Sequence, residues 1–178
     1  MKLLIASDIH GSAYYCGRLM EIMEARQPDK LVLLGDLLYH GPRNDLPRMY
    51  DPKQVIPMLS RYRDQIIAVR GNCEAEVDQM VLPFPCMADC AVLLADGVTF
   101  YLTHGHHYNP DNLPPLARGS VFLFGHTHVK LDETRNGIRC LNPGSVSIPK
   151  DGSRSCLFYE DGVFTFLSLE DADGTERL

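Results

Sequence analysis

Three features that would assign this chain to a common class are missing from its sequence. It has no cluster of Lys and Arg residues such as polynucleotide-binding proteins present, and its net charge is −6. It has no apolar run of transmembrane length, and the apolar residues at its start are too few for a signal peptide before Asp8 follows. The sequence therefore argues against a nucleic-acid partner and against a membrane, and we expect a cytoplasmic protein.

A disulfide framework is also missing. The six cysteines are irregularly spaced and form no C-x-x-C pair. Cys86 and Cys90 could share a zinc ion, but no second Cys or His pair accompanies them. We expect reduced thiols. With 178 residues, 45% apolar residues, and no linker or repeat, residues 1–178 are predicted to form a single domain.

The first half of the sequence contains a regular succession of apolar runs. Runs suited to buried strands at 2–7, 31–35 and 66–70 alternate with segments of helical periodicity at 14–26 and 52–63. This alternation predicts parallel strands joined by right-handed crossovers.

The second half has the pattern of a β-rich segment. Residues 121–124 form one strand-like run, and three short polar pairs each separate two further apolar runs. Asn-Gly and Asp-Gly pairs in this setting predict hairpins. They are Asp96-Gly97, Asn136-Gly137 and Asp161-Gly162. We therefore predict an α/β fold in which two packed β-sheets are flanked by helices.

Five of the predicted strands end in a short turn that carries Asp, Asn or His. The residues are Asp8 and His10, Asp36, Asn72, His104 and His106, and His126 and His128. Each one alone has an ordinary explanation as a turn former or a surface loop residue. Together, at the carboxyl ends of strands, they supply the His and carboxylate mixture that transition metals bind.

The order of these motifs resembles the signature blocks of calcineurin-like metallophosphoesterases. The motifs are Asp8-Ile9-His10, Gly35-Asp36, Gly71-Asn72, His104-Gly105-His106 and Gly125-His126-Thr127-His128. Segments 40–44, 70–73 and 142–149 are similar to a short, YfcE-type bacterial branch of that family, whose fold is shared by the scaffold protein Vps29. The resemblance implies a four-layer αββα sandwich of two mixed sheets.

The resemblance also implies a set of ligands for two divalent cations. Asp8, His10 and His128 would hold one cation, Asn72, His104 and His126 the other, and Asp36 would bridge them. Asp36, Asn72 and His104 are then the candidate catalytic residues. The resemblance indicates Mn²⁺, while N and O ligands are also compatible with Zn²⁺, Fe²⁺ or Ni²⁺.

Such a site has a clear chemistry. Two divalent cations bring four positive charges against the two negative charges of Asp8 and Asp36, which favours an anionic phosphate and a deprotonated bridging water. We predict a phosphodiesterase in which a bridging metal-bound hydroxide attacks a small phosphodiester directly. A protein phosphatase or a nuclease is less compatible with a short acidic chain. A Vps29-like protein-binding scaffold is the alternative from another class.

One position departs from the family pattern. Most members have His after the Asn of the third block, where it is thought to protonate the leaving group, and this chain has Cys73. A thiol is a poor substitute for imidazole, so we predict that Cys73 is not the general acid. His106 is a candidate replacement for that acid. Arg43 and Asn44 are candidate phosphate contacts, and the predicted substrate-binding residues are Arg43, Asn44, Cys73 and His106. The sequence leaves the oligomeric state open, including a homo-oligomer.

Overall fold

The computed structural model describes residues 1–170, which form two five-stranded sheets and three helices. In chain order the elements are β1 (Lys2–Ala6), α1 (Ala13–Arg26), β2 (Lys30–Leu33), α2 (Pro52–Ser60), β3 (Ile66–Ala68), α3 (Glu76–Val81), β4 (Cys90–Ala95), β5 (Val98–Thr103), β6 (Val121–Leu123), β7 (Lys130–Arg135), β8 (Ile138–Pro143), β9 (Ser155–Glu160) and β10 (Val163–Ser168). The predicted strands and both predicted helices are confirmed, whereas α3 was not predicted.

The first sheet combines the N-terminal crossovers with the last hairpin. Its strand order is β10-β9-β1-β2-β3, with β1, β2 and β3 parallel to one another and β9 antiparallel to β1. The crossover helices begin at side-chain caps, because Ser12 Oγ accepts from Tyr15 N at 3.3 Å and Asp51 Oδ1 accepts from Gln54 N at 3.3 Å. Pro52 then occupies the first turn of α2, where its missing N–H is not needed.

The second sheet has the order β4-β5-β6-β8-β7, in which β5, β6 and β8 are parallel. The Asn-Gly and Asp-Gly pairs all lie in hairpin turns, and all six of their residues have positive φ. This is the conformation that a two-residue type I′ turn requires. The three predicted hairpins are therefore confirmed.

Three apolar clusters hold these layers together. One lies between the sheets and contains Leu3, Val32, Phe100 and Leu123, and another packs α1 and α2 against the outer face of the first sheet. The third covers the outer face of the second sheet, where Leu113 and other residues of the irregular segment 104–120 pack on Phe122 and Phe124. The two mixed sheets agree with the predicted fold, but over residues 1–170 the fourth layer is this segment and no helix lies there.

Candidate active site

The site forms where loops from both sheets meet. The loops follow the carboxyl ends of β1, β2, β3, β5 and β6, as expected for strands that share a direction within each sheet. Backbone hydrogen bonds join the loops, since Asp8 N donates to Gly35 O at 3.1 Å and Gly125 N donates to His104 O at 2.7 Å. The loop positions are therefore fixed by the sheets and by each other.

Five of the seven predicted metal-binding residues have left-handed backbone conformations. They are Asp8 (φ 59°), His10 (φ 47°), Asp36 (φ 56°), His126 (φ 66°) and His128 (φ 59°). Each such residue costs about 1–3 kcal/mol, and such strain concentrates at functional sites. A left-handed residue turns the backbone sharply, so that two side chains of one short loop can both face the cluster of predicted ligands.

A first group of side chains consists of Asp8, His10 and His128, all buried. His128 Nε2 lies 3.1 Å and His10 Nε2 lies 3.5 Å from Asp8 Oδ1. The two Nε2 atoms are themselves 3.4 Å apart. These are three of the residues that the sequence predicted to share one cation.

Asp36 lies between this group and the remaining predicted ligands. Its Oδ2 is 3.6 Å from His10 Nε2 and 3.4 Å from His104 Nε2. His104 Nε2 in turn lies 3.1 Å from Asn72 Oδ1, and the His126 ring centroid is 5.1 Å from that of His104. The structure thus brings all seven residues together, with Asp36 placed centrally.

The hydrogen bonds of the imidazoles show that this cluster suits cations. The Nδ1 atoms of His10, His104 and His128 face the carbonyl oxygens of Tyr39 at 2.8 Å, Leu34 at 2.6 Å and Ile148 at 2.7 Å. A carbonyl only accepts, so each Nδ1 carries a proton and donates it, and each Nε2 atom points into the cluster, where it offers a lone pair to a metal once it is deprotonated. This second hydrogen bond is typical of metal-binding histidines.

The carboxylates present free oxygens to the same point. Asp8 Oδ2 accepts from His126 N at 3.1 Å and Asp36 Oδ1 accepts from Cys73 N at 2.9 Å, which leaves Asp8 Oδ1 and Asp36 Oδ2 facing the Nε2 atoms. Within the described residues Asp8 Oδ1 is a buried oxygen without a hydrogen-bond donor. Carboxylate oxygens and imidazole nitrogens that face one another repel unless a proton or a metal ion lies between them. These residues therefore fit a divalent-cation site.

Protons are held at this cluster in the absence of a metal. Burial opposes charge on His104, but the Asp8 and Asp36 carboxylates outweigh it and raise the pKa of His104 to about 9. Burial likewise opposes ionisation of Asp8, yet the neighbouring His10 and His128 rings lower its pKa well below the usual value. The site therefore stabilises added positive charge.

Glu74 ties two of the loops together and was not among the predicted site residues. Its carboxylate is 4% exposed and accepts from Asp36 N at 2.8 Å, from Leu37 N at 2.6 Å and from Gly71 N. Gly71 allows this approach, because a side chain at its position would collide with Asp36 Oδ1. The sequence position of Glu74 could have indicated this role, because a carboxylate two residues after the predicted ligand Asn72 can accept hydrogen bonds from the backbone N–H groups of that loop.

The segment from Asn142 to Lys150 supports the site from the other side. Ser145 Oγ and Ser147 Oγ donate to Asp8 O at 2.9 and 3.2 Å, and Asn142 Nδ2 donates to Gly125 O at 2.8 Å. Together with the bond from His128 to Ile148, these contacts fix the first and last loops. From the sequence, residues 142–149 were identified only by their similarity to the bacterial branch of the family.

A cavity of about 410 Å³ opens from the cluster. Its lining includes Asp36, Asn72, His126 and His128, the predicted substrate contacts Arg43, Asn44 and Cys73, and Lys150. Lys150 was not predicted, because it lies outside every motif. Four side chains of the metal cluster thus form part of an open pocket.

Cys73 and His106 occupy different positions around this pocket. The Cys73 thiol lies beside His10 and Asp36, and burial together with the Asp36 carboxylate raises its pKa, so it is a weak acid. His106 lines an adjoining cavity of about 480 Å³ that shares His126 and Thr127 with the first. Burial, followed by the charge of His104, lowers the pKa of His106 to about 4. Cys73 is thus a weakly acidic thiol in the pocket wall, and His106 lies in the lining of the adjoining cavity.

Comparisons with known proteins identify the family of this chain. Residues 1–161 match the family model of the calcineurin-like phosphoesterase superfamily domain. The chain belongs to this superfamily. Its resemblance in sequence therefore reflects family membership, and divalent metal ions are the cofactors of such metallophosphoesterases.

A comparison of sequences and a comparison of structures indicate how far the similarity extends. This phosphoesterase is 45% identical to phosphodiesterase YfcE of Escherichia coli strain K12 over 172 residues, which cover 96% of this chain and 94% of the relative. The solved structure of the E. coli YfcE phosphoesterase superposes with a TM-score of 0.93 at 44% identity, covering 98% of this chain and 96% of that one. The metallophosphoesterase fold is thereby confirmed.

The scaffold branch shares the fold at a greater distance. Vps29 from Entamoeba histolytica superposes with a TM-score of 0.59 at 17% identity and covers 94% of this chain and 97% of its own. In the described residues no helix is long and apolar enough to cross a bilayer. The chain is more similar to the YfcE phosphoesterase than to this Vps29, in both identity and TM-score.

Proposed function

We propose that this protein is a metal-dependent phosphodiesterase that hydrolyses small phosphodiesters. The observation that carries the proposal is the convergence of three imidazole Nε2 atoms and two carboxylates in a buried cluster, of which Asp36 and His128 line an open pocket. The 45% identity to phosphodiesterase YfcE supports a diester as the substrate class.

The distances support a division of the ligands between two cations. Asp8, His10 and His128 form one group, and Asn72, His104 and His126 surround the other position. Asp36 Oδ2 is nearly equidistant from His10 Nε2 and His104 Nε2, at 3.6 and 3.4 Å, as a bridging carboxylate would be. Mn²⁺ is our choice for both positions, and Zn²⁺, Fe²⁺ and Ni²⁺ are also compatible with N and O ligands.

When bound, two such cations acidify a water molecule and neutralise charge on the phosphoryl oxygens. The chain contributes the placement of every other group. Glu74 holds the Asp36 loop against the Asn72 loop, and the carbonyls that accept from Nδ1 keep each imidazole turned inward. Arg43 and Asn44 lie on the pocket wall, where they can orient the substrate by hydrogen bonds.

The position of Cys73 favours substrates with good leaving groups. Its backbone N–H donates to Asp36 Oδ1 at 2.9 Å, which fixes the residue in the pocket wall, but its raised pKa makes the thiol a poor proton donor.

We further propose a cytoplasmic enzyme without a nucleic-acid partner and capable of homo-oligomer formation.

The test is hydrolysis of bis-p-nitrophenyl phosphate by protein stripped of metal and then supplied with Mn²⁺. Activity should appear on addition of Mn²⁺, disappear on chelation, and fall at least a hundredfold, roughly, in Asp36→Asn. Asp45→Asn, an exposed position later in the same loop, is the matched control and should retain activity. Absence of hydrolysis with Mn²⁺, Zn²⁺, Fe²⁺ and Ni²⁺ would leave the protein-binding scaffold as the better account.

A further inference from the structure

The pocket is larger than the phosphate group that the metal cluster would hold. Its volume of about 410 Å³ lies in the range of sites that enclose whole small molecules. Beyond the cluster its wall is formed by residues 41–44 and by Lys150. These residues therefore face the part of the substrate that lies beyond the scissile phosphate.

Arg43 is held at the tip of a closed turn. Asn44 Nδ2 donates to His40 O at 2.8 Å, and Asn44 N donates to Gly41 O at 3.4 Å. Pro42 restricts the backbone immediately before Arg43. Within residues 1–170 no ion pair or hydrogen bond of this guanidinium is found, so a fixed backbone presents a cation that remains free for a ligand.

The backbone of Lys150, the second cation that lines the pocket, is also anchored. Its N–H donates to His128 O at 2.9 Å, two residues after Ile148, whose carbonyl holds the His128 ring. The acid that follows it, Asp151, is already paired with Lys130 Nζ at 2.8 Å. Lys150 is exposed, and its ammonium has no partner in the described part of the chain.

The charges around the pocket are unbalanced. Asp36 is the only acidic residue among its described lining residues, and it belongs to the cation cluster. A phosphodiester carries one negative charge, which the cluster itself would meet. Arg43 and Lys150 therefore add positive charge to a chain of net charge −6 at the place where a substrate arm would lie.

We propose that Arg43 and Lys150 form an anion-binding pair that selects phosphodiesters bearing a second anionic group, a carboxylate or a phosphate, on one arm. This inference rests on the proposed phosphodiesterase function. Arg43 can form a bidentate pair with such a group, and Lys150 supplies a second positive charge, a point charge on a flexible stem, in the same pocket.

The test uses p-nitrophenyl phosphodiesters that differ only in the second arm. Ethyl, 2-carboxyethyl, 2-phosphonoethyl and 2-aminoethyl arms keep the leaving group and the reacting centre the same. With the Mn²⁺-loaded protein, kcat/KM should be roughly tenfold or more higher for an anionic arm than for the ethyl arm, and lowest for the aminoethyl arm. The two anionic arms distinguish a carboxylate from a phosphate as the preferred group.

Variants assign the preference to the pair. In the double variant Arg43→Gln with Lys150→Gln, the ratio of carboxyethyl to ethyl kcat/KM should fall to about one. Lys53→Gln, an exposed lysine on α2, should keep the wild-type ratio. Equal rates for all arms in the wild type, or a preference retained in the double variant, would overturn this inference while leaving the proposed function intact. Failure to hydrolyse any arm would overturn both.

Discussion

Glu74→Gln tests how strongly one buried carboxylate joins the loops of the site. The side chain satisfies three backbone N–H groups, those of Asp36, Leu37 and Gly71. Glutamine has one acceptor oxygen, and its amide nitrogen would face a backbone donor. One charge-assisted hydrogen bond is then lost, and the remaining ones become neutral.

The magnitude follows from two opposing contributions. A hydrogen bond to a charged group contributes about 1.5–3 kcal/mol. Burial and the nearby Asp36 carboxylate raise the pKa of Glu74, so removing its charge relieves part of that penalty. We expect a net loss of about 2 kcal/mol, which lowers Tm by about 4–8 °C for a domain of this size.

The assay is thermal unfolding of metal-free protein, followed by Mn²⁺ titration. Because Glu74 fixes the loops of Asp36 and Asn72, Mn²⁺ affinity should fall about tenfold or more. Glu76→Gln, an exposed acid in the first turn of α3, should lose less than about 1 kcal/mol and bind Mn²⁺ normally. If both variants melted within a degree of each other and bound Mn²⁺ alike, the role assigned to Glu74 would be wrong.

Three further predictions concern the same site. Cys73→His should raise the hydrolysis rate of alkyl diesters more than that of aryl diesters, because an imidazole can protonate a poor leaving group and the Cys73 thiol cannot do so well. The ratio of alkyl to aryl rates should rise by up to about a hundredfold, and an unchanged ratio would contradict this prediction. Ser145→Ala should weaken Mn²⁺ binding about tenfold by removing a donor to Asp8 O, as isothermal titration would show. Ser153→Ala, at a half-buried serine that accepts from Lys130 Nζ, serves only as a control of protein stability. The pKa of His104 in the folded protein is raised to about 9, so its protonation stabilises the metal-free fold fully below pH 6.5, and this contribution is lost as pH rises through 9. Mn²⁺ competes with that proton, so the increase in Tm on adding Mn²⁺ should become larger between pH 6 and 9. An increase in Tm that did not change with pH would contradict proton competition.

The sequence predicted the elements whose signals are local. The apolar runs of β1 and β2 and the Asn-Gly and Asp-Gly turns determine strands and hairpins through short-range preferences, and all were found. The seven candidate metal-binding residues could be predicted because each follows a strand and because the order of motifs is that of a family. Their convergence around Asp36 follows from the parallel arrangement of those strands.

Features that depend on distant contacts were missed. Helix α3 is six residues long and buries only Asp78 within its own span, so it carries no helical apolar period. Lys150 lies at the pocket because its backbone N–H donates to the carbonyl of His128, which is 22 residues earlier in the sequence. No local sequence pattern predicts such a contact. The left-handed conformations of Asp8 and His128 are likewise set by the packed loops around them.

The central claim is that the five loops assemble a site for two divalent cations, and counting bound metal tests it most directly. Metal-free protein should be titrated with Mn²⁺ and the bound metal quantified after removal of the excess, for the wild type and for Asp36→Asn. The account predicts about two equivalents per chain in the wild type and about one or fewer in the variant. One equivalent or none in the wild type, or two in the variant, would contradict it.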